Sequence, residues 1–229
     1  MGWTAMDDAV LRKKISLIAI AAPAVIGLAL FVPAGTLDYW QGWAYMGVLL
    51  VPAAFVIAHF YKNDPAFLER RFQTKEKEAK QDLIVKTGTL IFIIAFLIPG
   101  LDHRFGWSDV PAEVSLAADA FVFLGYSFVV WVFMENSYAG RTIKVEKGQK
   151  VISTGPYSIV RHPMYLGSLI LYLATPFALG SFVAVPLFLL VMPVFIFRIL
   201  NEEELLRREL PGYKEYCGKT RYRLVPFVW

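Results

Sequence analysis

Two stretches of the sequence hold most of the residue types that could do chemistry. The first, Glu135 to Pro163, ends in Gly155, Pro156, Tyr157, then Arg161, His162 and Pro163, with Met164 and Tyr165 just beyond. Proline disfavours the α region for the residue before it, so His162 is expected to be extended, immediately before a helix that Pro163 opens. From there its ring can be aimed at a ligand, and the free N–H groups of the first helical turn can receive a carboxylate. The plainer alternative is that His162 and Tyr165 only cap a membrane entry, with the tyrosine as an interfacial anchor. The second stretch, Arg198 to Trp229, opens with Arg198, Glu202, Glu203 and Glu204. Arg198 and Glu202 are spaced to share a helix face, with Glu203 turned by about 100°. That pair could be an ordinary exposed ion pair of little worth. Arg198 closes an apolar run, however, and ionisable groups at membrane depth usually face a bundle interior or a cavity.

The elements that must position these residues follow from hydropathy. Of 229 residues, 57% are hydrophobic and 18% charged, with a mean hydropathy of +0.50, which departs far from a soluble domain of that length. Apolar runs at about Ile15–Pro33, Gly42–Tyr61, Leu83–Leu101, Val114–Met134, Met164–Gly180 and Phe182–Ile199 predict an all-α, polytopic integral membrane protein with about six transmembrane helices. The first run follows the basic triplet Arg12, Lys13, Lys14 and is longer than the usual signal-peptide core, so it reads as an anchor. The last two runs meet at Gly180 and Ser181, after a possible kink at Pro176, and predict a C-terminal helical hairpin. Tyr39, Trp40, Trp43, Tyr61, Trp107 and Trp131 gather at span ends, as headgroup-level aromatics do.

Orientation follows from the basic residues. Of 23 Lys and Arg, 22 fall before the first span, between Lys62 and Lys86, between Arg141 and Arg161, or from Arg198 onward. Cytoplasmic loops carry this excess, so both termini are expected to be cytoplasmic. The net charge of +4 then describes a basic face suited to anionic headgroups, with no call for nucleic acid. The mixed-charge segment Lys62–Asp82 reads as a solvated helix without chemistry. A single cysteine, Cys217, excludes an intrachain disulfide, and the three dispersed histidines, His59, His103 and His162, predict no metal site. With no repeat and no low-complexity tract, residues 1–229 are expected to form one domain: a four-span part over 1–134 and a catalytic part over 135–229, in which the hairpin's open end gathers the two chemical stretches.

The chain resembles the isoprenylcysteine carboxyl methyltransferase family, which looks related to membrane phospholipid N-methyltransferases and thiol S-methyltransferases. The resemblance is carried by Gly155, Pro156, Tyr157, Arg161, His162, Pro163, Tyr165 and Gly167, then by Arg198, Glu202, Glu203, Tyr213 and Tyr216, about the last 90 residues. It implies an S-adenosylmethionine-dependent methyltransferase whose cytoplasmic tail binds the cofactor against the last hairpin. Carried over by position, Lys150, Val151 and Ile152 would contact the cofactor through backbone. Tyr157, His162, Pro163, Met164 and Tyr165 would line its site, and Glu203 of the acidic pair would hold its polar end. Arg198 would face the acceptor, with Glu202 as the second catalytic residue. The run Glu202–Glu204 offers two registers for that pair, and Arg141 and Thr142 lie in a stretch without a clear match.

The implied acceptor is lipophilic, most simply a prenylated cysteine carboxylate, with a small thiol or a phospholipid amine as alternatives. A carboxylate acceptor needs no general base and could be oriented by Arg198 through bidentate hydrogen bonds. A thiol or amine must lose a proton, for which Glu202 or His162 would serve. The expected location is the inner membrane of a prokaryote or the endoplasmic reticulum of a eukaryote. Two rival readings remain: a sterol-reductase-like enzyme using NADPH, and a non-enzymatic membrane subunit whose charged tail docks a partner.

Overall fold

The computed structural model describes residues 7–73, 79–140, 142–146 and 148–229; Arg141 and residues 74–78 of the expected solvated helix lie outside them. Among the described residues the α-helices are α1 (Asp8–Ala34), α2 (Trp40–Asn63), α3 (Pro65–Arg71), α4 (Ala79–Phe105), α5 (Ala112–Glu135), α6 (Pro163–Ala178), α7 (Val185–Leu189), α8 (Val191–Glu209) and α9 (Tyr213–Lys219). Local signals fix many of the ends. The Asp7 carboxylate accepts from Ala9 N at 3.1 Å to open α1, and Asp64 Oδ1 accepts from Phe67 N at 3.1 Å to open α3. Pro65 and Pro163 each sit in the first turn of their helices, where a missing N–H costs nothing.

Five helical segments are long and apolar enough to cross a membrane: Asp8–Ala34, Trp40–Asn63, Leu83–Phe105, Ala112–Glu135 and Val185–Glu209, the last made of α7 and α8. The remaining expected span is shorter. α6 has 16 residues, or about 24 Å of helix against a hydrocarbon core of about 30 Å. Its antiparallel course is fixed on α5. The Ser115 hydroxyl donates to the Phe177 carbonyl at 3.0 Å, and Gly125 faces Gly167 so closely that a Cβ on Gly125 would stand 2.7 Å from the Gly167 carbonyl oxygen. Only residues without a side chain permit that approach, as at small-residue contacts between membrane helices.

Two sequence expectations are corrected. Tyr39 is no headgroup anchor: it is 1% exposed and its hydroxyl donates to the Leu179 carbonyl at 2.6 Å. A buried phenol must find an acceptor, and the uncapped carbonyl at the end of α6 supplies one. Nor does the described part of Lys62–Asp82 form one solvated helix. It breaks at Asp64 and Pro65, and α3 buries Phe67 and Leu68 against Phe60 and Phe133. At the opposite end of the bundle the Gly180–Ser181 turn is tied to α4, because the Asp102 carboxylate accepts from the Ser181 hydroxyl and from Ser108 N and Oγ.

Candidate functional site

The open ends of α5, α6 and α8 converge on a cleft floored by residues 136–140, 142–144 and 149–152 and closed by α9. Gly155–Ser158 form one 3-10 turn, after which Val160 pairs in a parallel bridge with Tyr222 of the tail. Arg161 N and His162 N then donate to the Tyr222 and Arg223 carbonyls, each at 2.9 Å. The tail is thereby stapled to the residues that enter α6. His162 has the non-helical φ of −123° and ψ of 61° that Pro163 demands.

The cleft is lined by Lys150, Val151, Ile152, Tyr157, His162, Pro163, Met164, Tyr165, Arg198 and Glu202, together with Thr142, Tyr213 and Tyr216. Its chemical centre is a short relay. The Tyr165 hydroxyl accepts from Arg198 Nε at 2.9 Å and donates to Glu202 Oε2 at 2.9 Å. Arg198 and Glu202 share one face of α8, as their spacing predicts, and both meet α6 at Tyr165. Tyr157 is held from two sides: Asn136 Nδ2 donates to its hydroxyl at 2.8 Å, and the Tyr216 hydroxyl donates to its carbonyl at 2.7 Å. Burial pushes the Tyr157, Tyr213 and Tyr216 phenols up, so all three stay neutral hydrogen-bonding groups in the physiological range.

Glu203 stands apart from that lining. One residue along α8, it is turned into the protein, 3% exposed, and accepts from Arg161 Nε at 2.7 Å, Arg207 Nη2 at 3.1 Å and Arg223 Nε at 3.1 Å. His162 Nε2 lies 3.4 Å from its Oε1. This carboxylate binds the entry to α6, α8 and the tail into one block behind the cleft wall. Glu202 is the acidic residue on the wall itself.

The sequence pattern does not point to Asn136, and it names Tyr213 only as part of the resemblance, with no role for its hydroxyl. Asn136 follows the last residue of α5, and nothing in the sequence ties it to Tyr157, 21 positions on. The Tyr213 hydroxyl is buried on the cleft wall without a hydrogen-bond partner. A buried polar atom in that state is costly unless something else satisfies it, so this phenol is a group that a ligand would complete.

Met164, Tyr165 and Arg198 also line a second cavity, a largely apolar groove of about 430 Å³ on the other side of the same wall, walled by α4, α7 and α8. The cleft and the groove back onto the same three residues.

Residues 114–211 match the phospholipid methyltransferase family. The family match covers α5 through Pro211 and so takes in every cleft-wall residue of α6 and α8. The Delta(14)-sterol reductase TM7SF2 of Mus musculus is 31% identical over 117 residues, which is 48% of this chain and 28% of the reductase. The chain thus spans under a third of that relative. The solved structure of the eukaryotic intramembrane Ras methyltransferase ICMT (isoprenylcysteine carboxyl methyltransferase) superposes over 97% of this chain and 88% of its own, at 14% identity and a TM-score of 0.47.

Proposed function

We propose that the protein is a multi-pass membrane methyltransferase that uses S-adenosylmethionine to methylate a lipophilic acceptor at the membrane face where its tail folds. The observation that carries this is the shared wall of Met164, Tyr165 and Arg198, with a polar tyrosine-rich cleft on one side and an apolar groove on the other. A water-soluble donor and a lipid-soluble acceptor can meet only across such a wall. The family match over residues 114–211 supports the reaction class.

The side chains of the cleft suit the donor. S-adenosylmethionine supplies an electrophilic methyl group on a cationic sulfonium. A carboxylate at Glu202 and the faces of Tyr157, Tyr165 and Tyr213 favour positive charge, and the partnerless Tyr213 hydroxyl offers a hydrogen bond. Lys150, Val151 and Ile152 form the floor, where backbone groups can position a planar base. His162 and Pro163 set the entry to α6 that carries Met164 and Tyr165 into the wall.

In-line methyl transfer depends on alignment and exclusion of water more than on covalent help. Arg198 presents donors to an acceptor arriving through the groove, and Tyr165 fixes its guanidinium relative to Glu202. For a carboxylate acceptor Arg198 suffices. For a thiol or amine, Glu202 is the group placed to take the proton, since Glu203 is engaged by three arginines. In this reading the bias of the basic loops supports cytoplasmic termini and a cytoplasmic tail, with residues 135–229 as the catalytic part of a single domain.

The test is transfer of a radiolabelled methyl group from S-adenosylmethionine to a lipid extract by the protein in nanodiscs. Label in the organic phase, lost in Arg198→Ala and Glu202→Gln, is expected. No transfer by a folded protein to lipid, prenylated peptide or thiol would end the proposal. The 31% identity to a sterol reductase favours a second reading, reduction of a sterol-like double bond with NADPH, which predicts that NADPH binds the same cleft.

A further inference from the structure

Among the described residues, Phe227 alone combines a side chain with a positive φ, 65°. A bulky residue in the left-handed region is a backbone outlier that its surroundings must hold in place. The turn around it is closed by its own main chain. Arg223 N and Leu224 N donate to the Trp229 carbonyl at 2.8 and 3.0 Å, and Val228 N and Trp229 N donate to the Val225 carbonyl at 3.2 and 3.1 Å. The Arg223 guanidinium lies 5.3 Å from the centre of the Trp229 ring. This closed turn does not bury what it bends. Phe227 is 88% and Val228 78% exposed, more than any other large apolar side chain among the described residues, those on the outer faces of the spans included.

The base of the turn fixes where those two side chains sit. Leu224, with Val225 and Trp229 beside it, packs in one cluster with Tyr165 and Leu169 of the apolar helix α6 and Ile199 of the span Val185–Glu209. Around Ile199 the outer face of α8 is apolar as well, with Phe197 and Leu200 exposed. No Asp or Glu occurs from Lys219 to Trp229, and Lys219 and Arg221 are exposed on the approach to the turn. Apolar tips flanked by cations suit the boundary between headgroups and acyl chains of an anionic membrane.

We propose that Phe227 and Val228 insert into that boundary and hold the tail on the bilayer. Arg223 carries the consequence inward, because its carbonyl accepts from His162 N and its Nε donates to Glu203. The inserted turn and the entry to α6 behind the cleft are therefore one connected piece, held by lipid on one side and by Glu203 on the other. This inference stands on the membrane spans and not on the methyltransferase reading.

Site-directed fluorescence in nanodiscs containing anionic lipid tests it. With Cys217→Ser removing the native thiol, Phe227→Cys and, as a control on the exposed face of α9, Lys214→Cys each carry a nitrobenzoxadiazole label. Lipid spin-labelled near the headgroup end of its acyl chain is expected to quench the label at position 227 several-fold more than the label at position 214, as burial of about 5–10 Å into the boundary requires. The double variant Phe227→Ser, Val228→Ser removes the apolar tips and no bond within the turn. Amide hydrogen exchange of residues 220–229 should quicken several-fold in that variant in the same nanodiscs. Quenching at 227 no greater than at 214, or exchange unchanged in the double variant, would overturn the proposal. A blue-shifted label at 227 that lipid does not quench would mean that a second copy of the chain covers the turn, and overturns it as well. None of these readouts involves an S-adenosyl compound, so failure here leaves the methyltransferase reading standing.

Discussion

Tyr165 donates its hydroxyl proton to Glu202 Oε2 across 2.9 Å, joining the first turn of α6 to α8. The Tyr165 hydroxyl oxygen in turn accepts from Arg198 Nε, so one phenol sets the spacing of the two ionisable groups on the cleft wall. Tyr165→Phe keeps the ring against Phe195 and deletes only that oxygen. The expected result is a protein of near-normal stability that binds S-adenosylhomocysteine within a few-fold of wild type. Its kcat/KM should fall by about ten- to hundredfold, the worth of hydrogen bonds to charged groups. A steady-state comparison of the two proteins checks this.

Glu202 and Glu203 should separate cleanly on mutation. Glu203→Ala leaves Arg161, 6% exposed at its side chain, buried without its carboxylate. Breaking a buried pair in this way costs about 3–5 kcal/mol, and the tail loses its Arg223 tie as well. Glu202→Gln should leave thermal stability unchanged and weaken ligand binding. Unfolding by intrinsic fluorescence, run beside calorimetric titration, distinguishes a structural carboxylate from a functional one.

The spans, their basic-loop asymmetry and the two chemical stretches were legible in the sequence because hydropathy and i, i+4 spacing are local properties. Arg198 and Glu202 share a face for that reason. What the sequence concealed depends on contacts between distant segments. Tyr39 has the composition of an interfacial anchor, yet it turns inward because α6 ends at Leu179 beside it. Helical spacing put Glu203 to one side of Glu202, but no local pattern shows that Arg161 and Arg223 converge on it from 42 and 20 residues away. Arg71 looks like part of a mixed-charge solvated helix until α3 buries Phe67 and Leu68.

The α5–α6 contact should tolerate no side chain. Gly125→Val would drive methyl groups into the Gly167 carbonyl and the Leu171 backbone, and overpacking of this kind costs about 1–3 kcal/mol. A lowered Tm, with residual folded protein still binding ligand, is the expected outcome; an unchanged Tm would contradict the close approach of the two helices.

Tyr213 tests whether a ligand completes the cleft. Tyr213→Phe removes a buried hydroxyl that has no partner in the protein, so stability should hold or rise slightly while S-adenosylhomocysteine binds several-fold more weakly. The pH response follows from the same burial. The Tyr157, Tyr213 and Tyr216 phenols are raised above their ordinary value in the folded state. Below about pH 10, both folded and unfolded chains keep these phenols neutral and they contribute no pH dependence. Above it the unfolded chain ionises first, so stability should fall as the solution becomes more alkaline. Denaturation midpoints measured from pH 7 to 11 give that slope.

The central claim is that the cleft bounded by Tyr157, Tyr165, Glu202 and Tyr213 receives a methyl donor, and calorimetric titration of the purified protein tests it most directly. S-adenosylmethionine and S-adenosylhomocysteine are expected to compete for one saturable site, with binding weakened in Glu202→Gln. Saturable binding of NADPH with no heat from either S-adenosyl compound would contradict the account and move the chain to the reductase reading.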